Sequence, residues 1–530
     1  MSQAALRSFT APKESPRTVA VIDIGATSIR MAIAEIRSGE SGSGGEVRTL
    51  ETLLQSVELG REVFQNRRLS RKNIEKVASV LIRYKQTLRE YGVTSPEDVC
   101  VVATTAVREA ANRVAFTDRI FIATGFHVVP IDEAEVSRIT YMGVMPHILG
   151  SSELGEGKSI VVEVGGGNTE MLIIRGGNVL HSQSVRLGSL RLLNTLEGVR
   201  VSTARRRTIL ESHIRRMLAQ LIDSIQTDAT MHLIGLGGEM RFAANQLLGD
   251  WDTDSLAKIS TKRLERLTEE ILGLEPDAIV RRYDASFVEA ETLGPSLLAY
   301  TLLAKHYELE HLFVCDTNLR DGLLHDMAAG KQLDDDFRNQ IVRSAISLGR
   351  KFDFDETHAR NVAELARKLF EQLADEHQLD SRNEVILFVA ALLHEIGLIV
   401  NVRSNHKHAL YLIRNSELFG LSQGDLMMIG LVARYHRRAS PQPSHEGYST
   451  LNQSKRVIVS KLAAILRLAI ALDDTRSGRI RDVQCKRGTK EFLIKAIGVD
   501  DVSLEQVAMR GSSGLFRDTF GLPVLLRAGK

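Results

Sequence analysis

The stretch VAVIDIGATSIRMAI (19–33) returns about 140 residues later as IVVEVGGGNTEMLII (160–174). Each copy runs from a β-branched strand through an acid, Asp23 or Glu163, into a small-residue turn and a second strand. Branched apolar side chains suit a pleated, buried strand, and glycines let a backbone approach a ligand closely. The acids fall at strand ends, where a carboxylate can reach hydrated Mg²⁺. Two facing turns of this kind predict a phosphate gripped from both sides.

The other segments extend this pattern into an α/β protein with a helical second half. Residues 70–91 place Ile74, Val77, Val80, Leu81, Tyr84 and Leu88 at helical spacing. VCVVATTAV (99–107) predicts a buried strand leading into one helix that ends at Gly125, with HVVPI (127–131) as the next strand and a helix from Glu133. After the second hairpin come a strand–turn–helix at 179–196, a helix at 203–226, and strand–helix pairs at 231–248 and 311–328. RSGESGSGGE (37–46) reads as a flexible loop or strand connection, and KQLDDDFRNQ (331–340) as a polar boundary. The predicted division is a disordered tail at 1–16, α/β domains at 17–140 and 141–330, a helical domain at 335–478 and a small α/β cap at 479–530.

Composition excludes several classes. With 530 residues, 43% hydrophobic and 25% charged, the chain has material for several buried cores. A net charge of +2 does not advertise nucleic-acid binding. Cys100, Cys315 and Cys485 are too dispersed for a disulfide framework or a zinc cluster, which fits a reducing, cytoplasmic setting. No apolar run approaches the roughly 20 residues that span a bilayer.

Phosphoryl transfer needs anchored phosphate oxygens, a metal to offset charge and a placed nucleophile. Gly25, Ala26, Thr27 and Ser28 can present N–H groups and hydroxyls to one face of a phosphate. Gly165, Gly166, Gly167, Asn168 and Thr169 can do so from the other. Arg30 and Arg108 are candidate phosphate forks, although Arg108 also suits a first-turn helix arginine in a surface salt bridge.

IDIGATSIRM, ATTAVREA, EAEVSRITYMGV, VVEVGGGNTE, SVRLGSLRL, IGLGGE and NLRDGLL follow one another in order across 19–328. In these segments the chain resembles the exopolyphosphatase/guanosine pentaphosphate phosphohydrolase family of the actin, sugar kinase and Hsp70 superfamily. The resemblance implies two ribonuclease-H-like domains with the site between them. It also implies Mg²⁺-assisted attack of water on the terminal phosphate of polyphosphate or of the stringent-response alarmone pppGpp, with a homodimer as a family-level expectation.

The resemblance departs where a base is needed. The family carries adjacent glutamates in a stretch reading roughly I-S-G-x-E-E-A-R, and the second is taken as the general base. Here the stretch is IDEAEVSR, so that position is Val136. Glu133 and Glu135 are the nearby substitutes, or else helix N-terminal carboxylates stabilised by the macrodipole. Glu163 stands where the family has Asp and keeps the charge. Glu239 brings a further acid near the cleft.

The helical half resembles an HD domain through His358, His394–Glu395 and Asp473. Because the adjacent His–Asp pair has become His–Glu, these are read as structural residues and not as a metal site. Lys407, Arg434, Arg437 and Arg438 are candidates for a basic passage, or a solvated face. Hydrolase is therefore the leading reading. The alternatives are a polyphosphate- or alarmone-binding regulator that has lost turnover, a kinase of the same superfamily, and hydrolysis by the HD-like half.

Overall fold

The computed structural model describes residues 16–37, 46–155, 157–196, 203–222, 231–253, 255–329, 335–437 and 439–529. The tail reading (Pro16 apart), the 37–46 connection between its end residues, and the 223–226 end of a predicted helix lie outside these residues. The chain divides into two compact units, 1–331 and 332–530.

The first unit holds two sheets built in the same sequence. β1 (Arg17–Ile24), β2 (Ser28–Arg37) and β3 (Glu46–Ser56) form an antiparallel meander, with β4 (Val99–Ala103) and β5 (Val128–Pro130) joined parallel on the other side of β1. β6 (Lys158–Val164), β7 (Thr169–Arg175) and β8 (Asn178–Val185) repeat the meander, with β9 (Met231–Leu236) parallel to β6. β10 (Ala257–Ser260) and β11 (His311–Val314) complete the second sheet. In both, the strand carrying the acid lies inside the sheet and delivers its carboxylate at a shared edge. β3 and β10 were not foreseen from the sequence.

The single helix expected over 108–125 is two helices. α1 (Leu59–Asn66) and α2 (Arg71–Glu90) precede β4, which ends at Ala103. Then come α3 (Thr105–Glu109) and α4 (Arg113–Thr124). The break has a local cause: the Asn112 amide bridges Leu69, accepting from its N–H at 3.0 Å and donating to its carbonyl at 2.9 Å, while Ala111 N–H bonds to the Arg67 carbonyl. Those bonds turn the chain before α4. α4 then ends at Gly125, whose φ of +76° provides a left-handed cap.

The boundary expected at 140 falls inside α5 (Glu133–Gly150). Asp132 caps this helix by accepting from Glu135 N–H at 3.0 Å, so Glu133 is already its first residue. Later come α6 (Ser189–Leu196), α7 (Thr203–Ile222), α8 (Gly238–Leu248), α9 (Thr261–Leu272), α10 (Pro276–Tyr283), α11 (Phe287–His306) and α12 (Leu319–Ala329). Leu323 and Leu324 of α12 join Val136 and Ile139 of α5 against Val19, Val21 and Ala32 of the first sheet. Leu190 of α6 joins the core on that sheet's other face. Segments distant in sequence thus complete the first lobe, and no cut at a single residue separates it from the second.

The second unit is mainly helical. α13 (Asp335–Lys351), α14 (Glu356–Gln372), α15 (Ala374–His377), α16 (Ser381–Leu393), α17 (Asn405–Arg414), α18 (Gln423–Arg434) and α19 (Gln453–Leu472) precede a three-stranded sheet of β12 (Asp482–Arg487), β13 (Phe492–Ile497) and β14 (Val524–Gly529). α20 (Ser503–Ser512) and α21 (Gly514–Phe520) lie between β13 and β14 in the chain. Val385 to Leu393 of α16 are all buried, so this helix is apolar on every side, as a central core helix must be. Among the described residues no helix is long and apolar enough to cross a membrane.

Candidate active site

The hairpins close with the same turn. Gly25 N–H bonds to the Ser28 carbonyl and Gly165 N–H to the Asn168 carbonyl, each at 2.9 Å. Across the strands Asp23 stands opposite Arg30, and Glu163 opposite Glu170. Residues directly opposite share a face and lie roughly 4.5–5.5 Å apart at Cβ. The shared edge therefore collects two pairs, one acid–base and one acid–acid.

Further groups converge there. Arg320 of α12 lies 3.9 Å from Asp23, and Arg241 of α8 pairs with Asp316 at 3.1 Å. Burial raises the carboxyls of Asp23, Glu163 and Glu239 above their ordinary range, against the opposing pull of Arg30 on all three. Arg320 also acts on Asp23 and Glu163, and Arg241 on Glu163 and Glu239. The Asp23 Oδ1 and Arg30 Nε atoms are buried without a hydrogen-bond partner. An orphaned oxygen among three buried carboxyls fits a divalent cation, which would offset their charge. An orphaned guanidinium nitrogen fits an anion.

Glu170 is a cleft acid that sequence reasoning passed over. Its Oε1 accepts from the Ser184 hydroxyl at 2.9 Å, and its Oε2 is buried without a partner. Burial pushes this carboxyl up to about 8, with Glu133 and Glu163 adding to the rise and Ser184 and Arg108 opposing it. The signal was present in the repeat itself: Glu170 follows Glu163 at the same interval by which Arg30 follows Asp23.

The three acid-region residues separate. Glu133 takes an ion pair from Arg108 at 3.2 Å and a hydrogen bond from the Asn168 amide at 3.1 Å, so it belongs to the cleft. Glu135 is committed elsewhere, accepting from Arg138 at 2.7 and 3.0 Å, while Arg138 also holds Asp326. Both Glu135 oxygens are held by that pair. Val136 packs in the apolar layer between α5, α12 and the first sheet. Successive helix residues turn by about 100°, and the cap at Asp132 fixes which of the three faces the cleft.

The glycine turns pack closely. A Cβ on Gly166 would stand 3.2 Å from Ala26 Cβ and 3.4 Å from Thr27 Cγ2; one on Gly167 would stand 2.6 Å from Phe64 and 2.7 Å from Thr105. The turn apices touch, so a side chain at either glycine would collide with its neighbours. Thr169 is fully buried and donates its hydroxyl to the Leu187 carbonyl. Asn168 is buried and donates to both Glu133 and Ser184. Ser28 is buried within β2. Arg30 and Arg108 bring the cations to these strand ends, opposite Asp23 and beside Glu133 respectively. Arg108 additionally donates to the Ile131 carbonyl at 3.0 Å, which fixes its direction into the cleft.

In the second unit three helix ends bring His358, His394, Glu395 and Asp473 together. His358 lies in the first turn of α14, His394 and Glu395 follow α16, and Asp473 follows α19. His358 Nδ1 is 2.8 Å from the Asp473 carboxylate. Burial pushes the His394 imidazole down to about 4 and that of His436 well below its ordinary value. Of the proposed basic passage, Arg434 donates to the Glu446 carbonyl and Arg437 approaches the Arg403 carbonyl at 3.5 Å.

Residues 32–330 match the Ppx/GppA phosphatase family and 342–503 match its domain III. The chain belongs to the Ppx/GppA phosphatase family. It is 26% identical over 470 residues to a guanosine-5'-triphosphate,3'-diphosphate pyrophosphatase of Vibrio atlanticus, covering 87% of this chain and 88% of that one. A protein of the same name from Aliivibrio fischeri is 23% identical over 449 residues, covering 84% and 86%. Among solved structures, an exopolyphosphatase from Cytophaga hutchinsonii aligns with TM-score 0.53 and 19% identity, covering 60% of this chain and 99% of that one. An exopolyphosphatase-like protein aligns with TM-score 0.50 and 20% identity, covering 59% and 98%. These likenesses show a shared fold over the part they cover.

Proposed function

We propose that this chain is a phosphoanhydride hydrolase, removing the terminal phosphate of inorganic polyphosphate or of guanosine pentaphosphate. The observation that carries the reading is Glu170, a carboxyl with a raised pKa in the same cleft as the unpartnered Arg30 nitrogen. A base poised near the working pH is what water activation asks for. Arg30 and Arg108 hold the oxygens of the terminal phosphate. Arg241 and Arg320 keep the surrounding acids ionisable. A water oxygen bonds to phosphorus as the bridging P–O bond breaks, Glu170 takes the water proton, and the shortened chain leaves with the bridging oxygen. Asp23 and Glu163, with Glu239 beside them, would hold Mg²⁺, which when bound offsets charge on the phosphate oxygens. Glu133 orients Arg108 and Asn168.

We read the two lobes as the ribonuclease-H-like pair of the superfamily and the second unit as HD-like. The binder alternative rested on Val136, and Glu170 offers a base from another strand. Phosphate release from long-chain polyphosphate and from guanosine pentaphosphate, measured with Mg²⁺ beside polyphosphate retention on filters, tests the reading. Wild type should release phosphate, and Glu170→Gln should retain binding while losing about 10²–10⁴ in rate. A wild type that binds both anions and hydrolyses neither is a regulator.

A further inference from the structure

We propose that Tyr300 is a positioning residue whose hydroxyl clamps the ends of β6 and β9 and so sets the spacing of Glu163 and Glu239 for a divalent cation. The inference rests on the reading of those two acids, with Asp23, as the groups that hold Mg²⁺. Tyr300 lies on α11, is 1% exposed, and reaches the ends of two parallel strands. Its hydroxyl accepts from Val164 N–H at 2.8 Å and donates to the Leu236 carbonyl at 2.7 Å. The Val162 carbonyl stands farther off, at 3.4 Å, so the single hydroxyl hydrogen goes to Leu236.

Each clamped residue sits beside an acid. Glu163 immediately precedes Val164 and pairs in register with Leu236, which Gly237, Gly238 and Glu239 follow. Both carboxylates turn toward Gly237. A Cβ there would stand 3.7 Å from Glu163 Cγ, 3.9 Å from Glu163 Oε1 and 3.7 Å from Glu239 Oε2. Gly237 holds φ at +95°, which a glycine adopts without strain, and the chain swings there from β9 into α8. Two buried acids this close repel when both are charged, and a cation between them removes the repulsion. How well they share one ion depends on the spacing of the two strand ends.

Packing alone does not call for a hydroxyl at this place. Leu293 to Ala304 of α11 are all buried, and a phenylalanine would fill the same space. A buried hydroxyl has to find partners, and the partners found here are the strand-end backbone groups. Burial pushes the Tyr300 hydroxyl well above its ordinary range; Val164 N–H opposes that rise and Glu239 and Glu163 add to it. The hydroxyl therefore stays protonated, within electrostatic reach of both acids. The first sheet closes its equivalent ends with a backbone bond, from Thr104 N–H to the Ile24 carbonyl at 3.2 Å, where the single acid Asp23 departs. The second junction delivers two acids, and one oxygen atom ties both of their strands.

The test titrates the full-length chain with Mn²⁺ alone, which takes the same oxygen ligands as Mg²⁺, and reads free Mn²⁺ by electron paramagnetic resonance. Wild type should bind an equivalent that Glu163→Gln loses. Tyr300→Phe, which removes only the hydroxyl, should bind it about 10–100-fold more weakly, the range for groups that orient metal ligands. Thr301→Val is the control. It deletes a buried hydroxyl of the same helix that donates to the Leu297 carbonyl at 2.8 Å, and it should bind as wild type does. If Tyr300→Phe does not fold, Tyr300→Met takes its place, lacking the hydroxyl and filling the space adaptably. A wild type that binds no Mn²⁺, or binds it regardless of Glu163→Gln, overturns the metal reading and this proposal with it. Undiminished affinity in the Tyr300 variant, or an equal loss in Thr301→Val, overturns the proposal alone.

Discussion

Asp23 faces Arg30 across the first hairpin, whereas Glu163 faces Glu170 across the second. The backbones are otherwise equivalent, down to matching glycine-turn bonds of 2.9 Å. In the first hairpin burial raises Asp23, and Arg320 and the facing Arg30 oppose that rise. In the second, acid faces acid, and burial with the neighbouring carboxylates drives Glu170 up to about 8. On the proposed function, one duplicated scaffold yields an anion anchor on one side and a proton acceptor on the other. Charge at a single position separates the two roles.

The largest expected effect tests that division. Glu170→Gln should lower kcat by about 10²–10⁴, whereas Glu133→Gln should cost far less. The wild-type rate should also climb through a limb near pH 8 that Glu170→Gln lacks. Stability should move the opposite way. The folded chain keeps the Glu170 proton up to about 8, while the unfolded chain releases it near 4.5. Stability contributed by the protonated form is thus complete below pH 4.5 and lost as pH rises through 8. Denaturation of wild type and Glu170→Gln across this window checks the sign, and equal slopes would erase the distinction between the hairpins.

Val136→Glu comes next. Placing an acid within the apolar layer of α5, α12 and the first sheet should cost roughly 2–4 kcal/mol of stability without adding a base. A gain in phosphate release would show that α5 can present this position to the cleft. On the other hairpin Arg30→Ala removes a charged anchor and should raise KM about 10–100-fold, from a charged hydrogen bond of roughly 1.5–3 kcal/mol.

The smallest effect compares the turns themselves. Gly167→Ala meets Phe64 at 2.6 Å and Thr105 at 2.7 Å and should cost about 1–3 kcal/mol. Gly25→Ala meets only the Ser28 carbonyl at 3.2 Å and should cost less. Thermal melts of both variants show whether the second turn is the packing surface and the first the freer one.

Both glycine hairpins were legible because alternating branched residues and a glycine turn act within some fifteen residues. So were the order of motifs and the polar boundary before the helical unit. Glu133, Glu135 and Val136 were not separable, because three adjacent positions on a helix differ only in rotation. That rotation is set by the Asp132 cap and by Leu323 and Leu324, nearly 190 residues away. The break before α4 escaped the helical pattern because Asn112 is held by Leu69 from another segment. Glu170 was visible as a residue and invisible as a base, since burial and neighbouring charge raise its pKa.

The sequence by itself determined the duplicated hairpins, the acids at their strand ends and the family they mark. These features arise from short-range patterning and from chemistry carried by residue type. Only the tertiary structure decided which acid faces the cleft, that the glycine turns touch each other, and that three helix ends gather His358, His394, Glu395 and Asp473. Direction, burial and proximity come from packing between distant segments, and they settle what each side chain can do.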